Sequence, residues 1–218
     1  MPVIIYSHDW FNGIDSLFEI FTILVSLAIA SVGYKAYRLT REKRHAYFSL
    51  AFALISLSFL SKIVAELLVR YELSQEIIQM ANIYHIGGGG FLAYMGFTFA
   101  GLLALLVLSL RLHDPKIVIL LILFLGVFEY FSYTYLFAIF PLISLFMLGI
   151  ITSSYYKNYS EKQAFAPLLT WLSFFLFTAS QLFFILATVD SKWYVVAHLI
   201  QLLGFCGLLY ILIRVLKK

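Results

Sequence analysis

Runs of Leu, Ile, Phe and Val fill most of this chain, and only brief polar clusters interrupt them. Seven apolar stretches approach the roughly 20 residues that a helix needs to cross a bilayer. They run over 16–36, 46–69, 83–110, 117–133, 136–154, 165–188 and 193–214. The pattern predicts an all-α integral membrane protein of seven transmembrane helices, with residues 1–218 forming a single transmembrane domain. The connections are short and no soluble domain is appended. Any chemistry, binding or signalling is therefore expected within the helices or through a partner.

Composition narrows the class. Apolar residues make up 63% of the chain and charged residues 12%, with a mean hydropathy of +0.96. A soluble domain is about half apolar and a quarter charged. These values exclude a soluble enzyme, a disordered chain, a disulfide scaffold and a nucleic-acid binder. The one cysteine, Cys206, forbids an intrachain disulfide and argues against a Cys-based metal cluster.

Charge predicts the orientation. Lys35, Arg38, Arg41, Lys43 and Arg44 lie between helices 1 and 2, and Arg111 and Lys116 between 3 and 4. Lys157 and Lys162 lie between 5 and 6, and Arg214, Lys217 and Lys218 follow or end helix 7. Twelve of the fifteen basic residues thus share one side. By the positive-inside rule the N-terminus is outside and the C-terminus cytoplasmic, and the expected location is the cell membrane. No Lys or Arg precedes Lys35, so helix 1 reads as an uncleaved signal anchor. The basic inner face suits anionic lipid, making the bilayer itself the first expected partner.

A displacement of 119 residues sets Leu17-Phe18-Glu19-Ile20-Phe21 over Leu136-Phe137-Ala138-Ile139-Phe140. It also sets Tyr37 over Tyr156 and Ser61 over Ser180. Helices 1–3 (16–110) and 5–7 (136–214) would then be parallel pseudo-repeats in a 3+1+3 arrangement, joined by helix 4 (117–133). Several transporter folds are built from parallel repeats, with solute sites at the repeat interface. The alternative is two generic hairpins of similar length.

Ionisable groups in spans are costly and usually face the bundle interior or a wet cavity. Counting about 1.5 Å per residue from each inner helix end, Glu19 and Lys62 reach nearly one level on antiparallel neighbours. An ion pair between helices 1 and 2 is expected. The alternative is a Lys62 that snorkels beside Glu66, one turn away. Glu129, Gln181, His198 and Gln201 also fall in the outer half. Together these residues suggest a polar pocket open to the outer side above an apolar plug. His85 precedes Gly87-Gly88-Gly89-Gly90, which would either hinge helix 3 or let a neighbouring helix approach closely.

These features favour a carrier of a small solute or ion, which needs no soluble effector. No catalytic residue, metal site or resident cofactor is expected. A seven-helix sensor or receptor would need a separate effector protein, and homo-oligomers are compatible with either reading. A third alternative is a haem b or quinone-linked redox subunit using His85 and His198 as axial ligands. A retinal Schiff base is disfavoured, because helix 7 holds no lysine in its middle.

Overall fold

A computed structural model describes residues 14–73, 80–112, 114–134 and 138–216. Among these the chain forms seven helices: α1 (Ile14–Thr40), α2 (Lys43–Leu73), α3 (Met80–Leu110), α4 (Pro115–Thr134), α5 (Ile139–Lys162), α6 (Phe165–Leu186) and α7 (Lys192–Leu216). Among the described residues, α1, α2, α3, α5, α6 and α7 are long and apolar enough to span a membrane. The expected element order holds. The largest boundary difference is α5, which continues to Lys162 rather than stopping near 154. Its polar last turns, Tyr155-Tyr156-Lys157-Asn158-Tyr159, are good interfacial helix, so an apolar window ended the helix too soon.

The helices close into a ring. α1 packs on α2, α2 on α3, α3 on α5, α5 on α6, α6 on α7 and α7 back on α1. α4 packs on α3 and α5 from outside that ring. Its Leu120 and Leu123 face outward. So do Leu17 and Leu24 of α1, Leu67 of α2, Phe146 of α5 and Leu203 of α7. Apolar surface this extensive suits lipid and would aggregate in water. Outward hydroxyls are satisfied within their own helix: Ser31 donates to the Leu27 carbonyl (2.8 Å) and Thr170 to that of Ala166 (2.9 Å). A polar group facing hydrocarbon needs such an internal partner.

The inward faces of the two halves coincide at a displacement of 122 residues, not 119. On α1, Glu19, Thr22, Val25, Ser26, Ile29 and Ala30 are buried. On α5 the buried positions are Pro141, Ser144, Met147, Leu148, Ile151 and Thr152, each 122 further on. α2 and α6 follow the same rule, Ala51 and Phe52 matching Ser173 and Phe174, and Ser58 matching Ser180. The turns agree as well. α1 ends with left-handed Arg41 (φ 58°), whose N–H donates to the Tyr37 carbonyl, and α5 with Gln163 (φ 44°), whose N–H donates to that of Tyr159. A three-residue slip is close to one helical turn and keeps apolar faces roughly in phase. Matches among Leu, Ile and Phe therefore could not separate 119 from 122.

Close approaches repeat too. A Cβ on Gly101 of α3 would lie 2.9 Å from the Ala51 carbonyl oxygen and 2.9 Å from Ile55 of α2. Gly204 of α7 meets Phe177 and Ser173 of α6, the equivalents of Ile55 and Ala51. Here the displacement is 103, because α2 and α3, of 31 residues each, run past α6 and α7, of 22 and 25. α3 also continues unbroken through Gly87-Gly88-Gly89-Gly90. Gly90 admits the Ala65 methyl of α2, while a Cβ on Gly89 would meet nothing. The run therefore serves close helix packing at Gly90 and does not act as a break.

Candidate functional site

Charge is brought together where α1, α2 and α7 meet. The Lys62 ammonium of α2 donates to Glu19 Oε1 of α1 and forms a salt bridge with it. Helix geometry explains the meeting: antiparallel neighbours joined by a tight turn keep residues at equal distances from that turn at equal depth. Glu19 retains only 1% exposure. Its second oxygen, Oε2, is buried with no hydrogen-bond partner among the described residues. Glu66, one turn along α2, places Oε1 3.7 Å from Lys62 Nζ. Asp15, one turn before Glu19 on α1, is buried as well.

The remaining walls are aromatic. Lys62 Nζ lies 3.3 Å from the Tyr194 hydroxyl oxygen of α7, which accepts its hydrogen bond. It stands 5.9 Å from the Tyr94 ring centroid of α3 and 6.0 Å from that of Tyr194. An ammonium at such distances gains from the ring quadrupoles. One turn further along α7, His198 packs edge-on against Tyr194, with centroids 4.5 Å apart, and against Phe184 of α6 at 5.1 Å.

Of the sequence-derived candidates, Glu19, Lys62 and Glu66 meet directly, and His198 joins them through Tyr194. Gln181, Gln201 and Glu129 make no hydrogen bond or ion pair to this group among the described residues. Gln181 is buried on α6, where its amide donates to Ser180 Oγ at 3.3 Å. Glu129, on the peripheral α4, lies over Gly96 of α3, where a Cβ would come within 2.9 Å of Oε1. The His85 side chain lies outside the described residues, as do Asp9, Trp10, Glu76, Tyr135, Lys217 and Lys218. Among the described residues no three His, Cys, Asp or Glu side chains form a metal-ligand group. Tyr94 and Tyr194 were missed because tyrosine in a membrane chain reads first as an interfacial residue. The available signal was position, since Tyr194 precedes His198 by four and shares its helix face.

The group is a buried ion pair with a spare carboxylate oxygen, a second carboxylate in reach, and a tie to the other half of the ring. It can hold a cation, release one, or take up a proton. No protein-family model, curated protein or solved structure matches the chain. Six long apolar helices and the outward leucines define a multi-pass helical membrane protein.

Proposed function

We propose that the chain is a carrier of a small solute or ion in the cell membrane, with its working site at Lys62. In this reading α4 is a seventh span, the N-terminus is outside and the C-terminus is cytoplasmic. The two sets of three helices are parallel repeats related by an axis along the membrane normal. The ring order supports the repeat, since exchanging α1, α2 and α3 with α5, α6 and α7 leaves every neighbour relation in the ring unchanged. The common displacement of 122 in α1 and α2 supports it independently.

One observation carries the functional reading. The buried Lys62–Glu19 pair is tied to Tyr194 across the junction where α7 meets α1. A buried pair stabilises little by itself, because desolvation offsets most of its Coulomb gain. Its position between the halves gives it another use: a solute or proton that competes for either partner changes what joins them. Transporter sites commonly lie at a repeat interface.

The test uses proteoliposomes on a solid-supported membrane, with rapid jumps of protons, sodium, potassium, ammonium, amino acids and small organic acids. Wild type is expected to displace charge for at least one of these solutes. A folded Lys62→Met, Glu19→Leu double variant is expected not to. Wild-type protein that is folded and silent to every jump would refute the carrier reading and favour a receptor.

A further inference from the structure

The geometry points to Lys62 as an exchangeable partner: a proton arriving at Glu19 hands the ammonium to Glu66 and releases its tie to Tyr194. The inference rests on reading this group as the working site and adds how that site is driven.

Three observations converge. Glu19 Oε2 is buried and unpartnered among the described residues, while Oε1 is taken by Lys62. A buried carboxylate oxygen with no donor is costly, and a proton on that oxygen removes the buried charge. Glu66 Oε1 already stands 3.7 Å from Nζ, one helical turn along the same helix. The transfer is therefore a change of side-chain rotamer that moves no backbone. The Tyr194 hydroxyl, 3.3 Å from Nζ, accepts a hydrogen bond that links α2 to α7. An ammonium drawn towards Glu66 leaves it.

The groups facing the pair come from every helix around it. α1 supplies Asp15 beside Glu19, α2 supplies Glu66, α3 presents Tyr94, and α7 presents Tyr194 and His198. α6 contributes the non-titrating Phe184. A second carboxylate, Glu66, stands near Lys62, so the ammonium keeps an anionic partner after Glu19 is neutralised. In the step, a proton from the aqueous side bonds to Glu19 Oε2 and the carboxylate becomes a carboxylic acid. Lys62 keeps all three of its protons, Glu66 remains a carboxylate, and no electrons move.

The junction on the opposite side of the ring cannot respond in this way. There α3 meets α5 through Phe140, packed on Tyr94 (5.4 Å), Phe99 (5.2 Å) and Phe91 (6.5 Å). Nothing in that aromatic contact takes up a proton at ordinary pH. Proton arrival therefore loosens one junction and leaves the other as a pivot.

The test is a stability cycle on the full chain in nanodiscs, read with carboxylic-acid infrared spectra. Glu19→Gln imitates the protonated acid and should fold, with Lys62 held by Glu66. Glu66→Gln should be mild, because Lys62 keeps Glu19. The Glu19→Gln, Glu66→Gln variant should lower the melting temperature by more than the two single shifts combined, or fail to fold. Acidifying wild type should raise a carboxylic-acid band that Glu19→Gln removes. Additive shifts, an unfolded Glu19→Gln single variant, or a band unaffected by Glu19→Gln would overturn the exchange. Neither readout requires flux. Solute currents without the Glu19 band would refute the exchange alone, and the band without currents would refute the carrier reading alone.

Discussion

Glu19 and Lys62 in the first half stand where Pro141 and Phe184 stand in the second, 122 residues on, and Glu66 stands where Thr188 does. Further along the two hairpins the close approaches are alike. Gly101 lies against Ala51 and Ile55, and Gly204 lies against their equivalents Ser173 and Phe177. The second half binds its helices with neutral contacts: Thr152 and Thr178 hydroxyls 2.8 Å apart, and Tyr155 stacked on Phe174 at 4.6 Å. A helix hairpin of this geometry evidently packs without an internal ion pair. The charges of the first half are therefore superfluous to the packing, and burying them has a cost that another role must justify.

The contrast is most easily broken at Lys62. Lys62→Met leaves the buried Glu19 carboxyl with its main partner gone, a loss of about 3–5 kcal/mol. Phe184→Leu, at the matching place in α6, should cost no more than about 1.5 kcal/mol, as a hydrophobic exchange with repacking. Thermal unfolding of the two variants in one detergent compares them directly. Equal losses would remove the distinction between the halves.

The likeness of the halves is sharpened by the glycines. Gly101→Val and Gly204→Val each force a side chain into a neighbouring helix and should cost about 1–3 kcal/mol. The two losses should be similar, because both glycines occupy the same place in the two hairpins. Gly126→Ala and Gly149→Ala meet open space. They should be neutral or stabilising by up to about 1 kcal/mol, from helix propensity alone. A large loss at one of Gly101 and Gly204 with none at the other would dissolve the correspondence.

The smallest effect is expected at a pair outside the bundle. Glu42, in the turn between α1 and α2, and Arg44, in the first turn of α2, form a salt bridge with both side chains exposed. Arg44→Gln should change stability by less than about 1 kcal/mol. Raising the salt should erase even that, since screening reaches exposed charges far more than buried ones. A larger, salt-resistant loss would show that burial is not what distinguishes the Lys62 pair.

How much of this could be read from the chain depended on direction. Depth along a helix follows from counting residues, and it set Glu19 level with Lys62 before any packing was known. Rotation about a helix axis does not follow from counting. Glu129 falls in the outer half by depth, yet α4 packs outside the ring and turns that carboxylate to Gly96 of α3. Gln181 is buried on α6 and Gln201 half-buried on α7, and depth alone did not say whether either would reach Lys62. The likeness of the two halves was read at a displacement of 119, whereas their buried positions coincide at 122, because apolar identities are cheap in a chain this hydrophobic. A sharper signal lay in Tyr34-Lys35-Ala36-Tyr37 and Tyr156-Lys157-Asn158-Tyr159, polar matches placed 122 apart at equivalent helix ends. The glycine run, which alone fits either a break or a close contact, was decided by the Ala65 methyl against Gly90.

The central claim is that the Lys62–Glu19 pair exists for work and not for packing. The most direct measurement compares wild type, Lys62→Met, Glu19→Leu and the double variant, each for melting temperature and for solute-driven charge displacement. The account predicts that the double variant, which makes the first half neutral like the second, melts close to wild type while its charge displacement stays lost. Stability losses that merely add, or a double variant that displaces charge as wild type does, would contradict it.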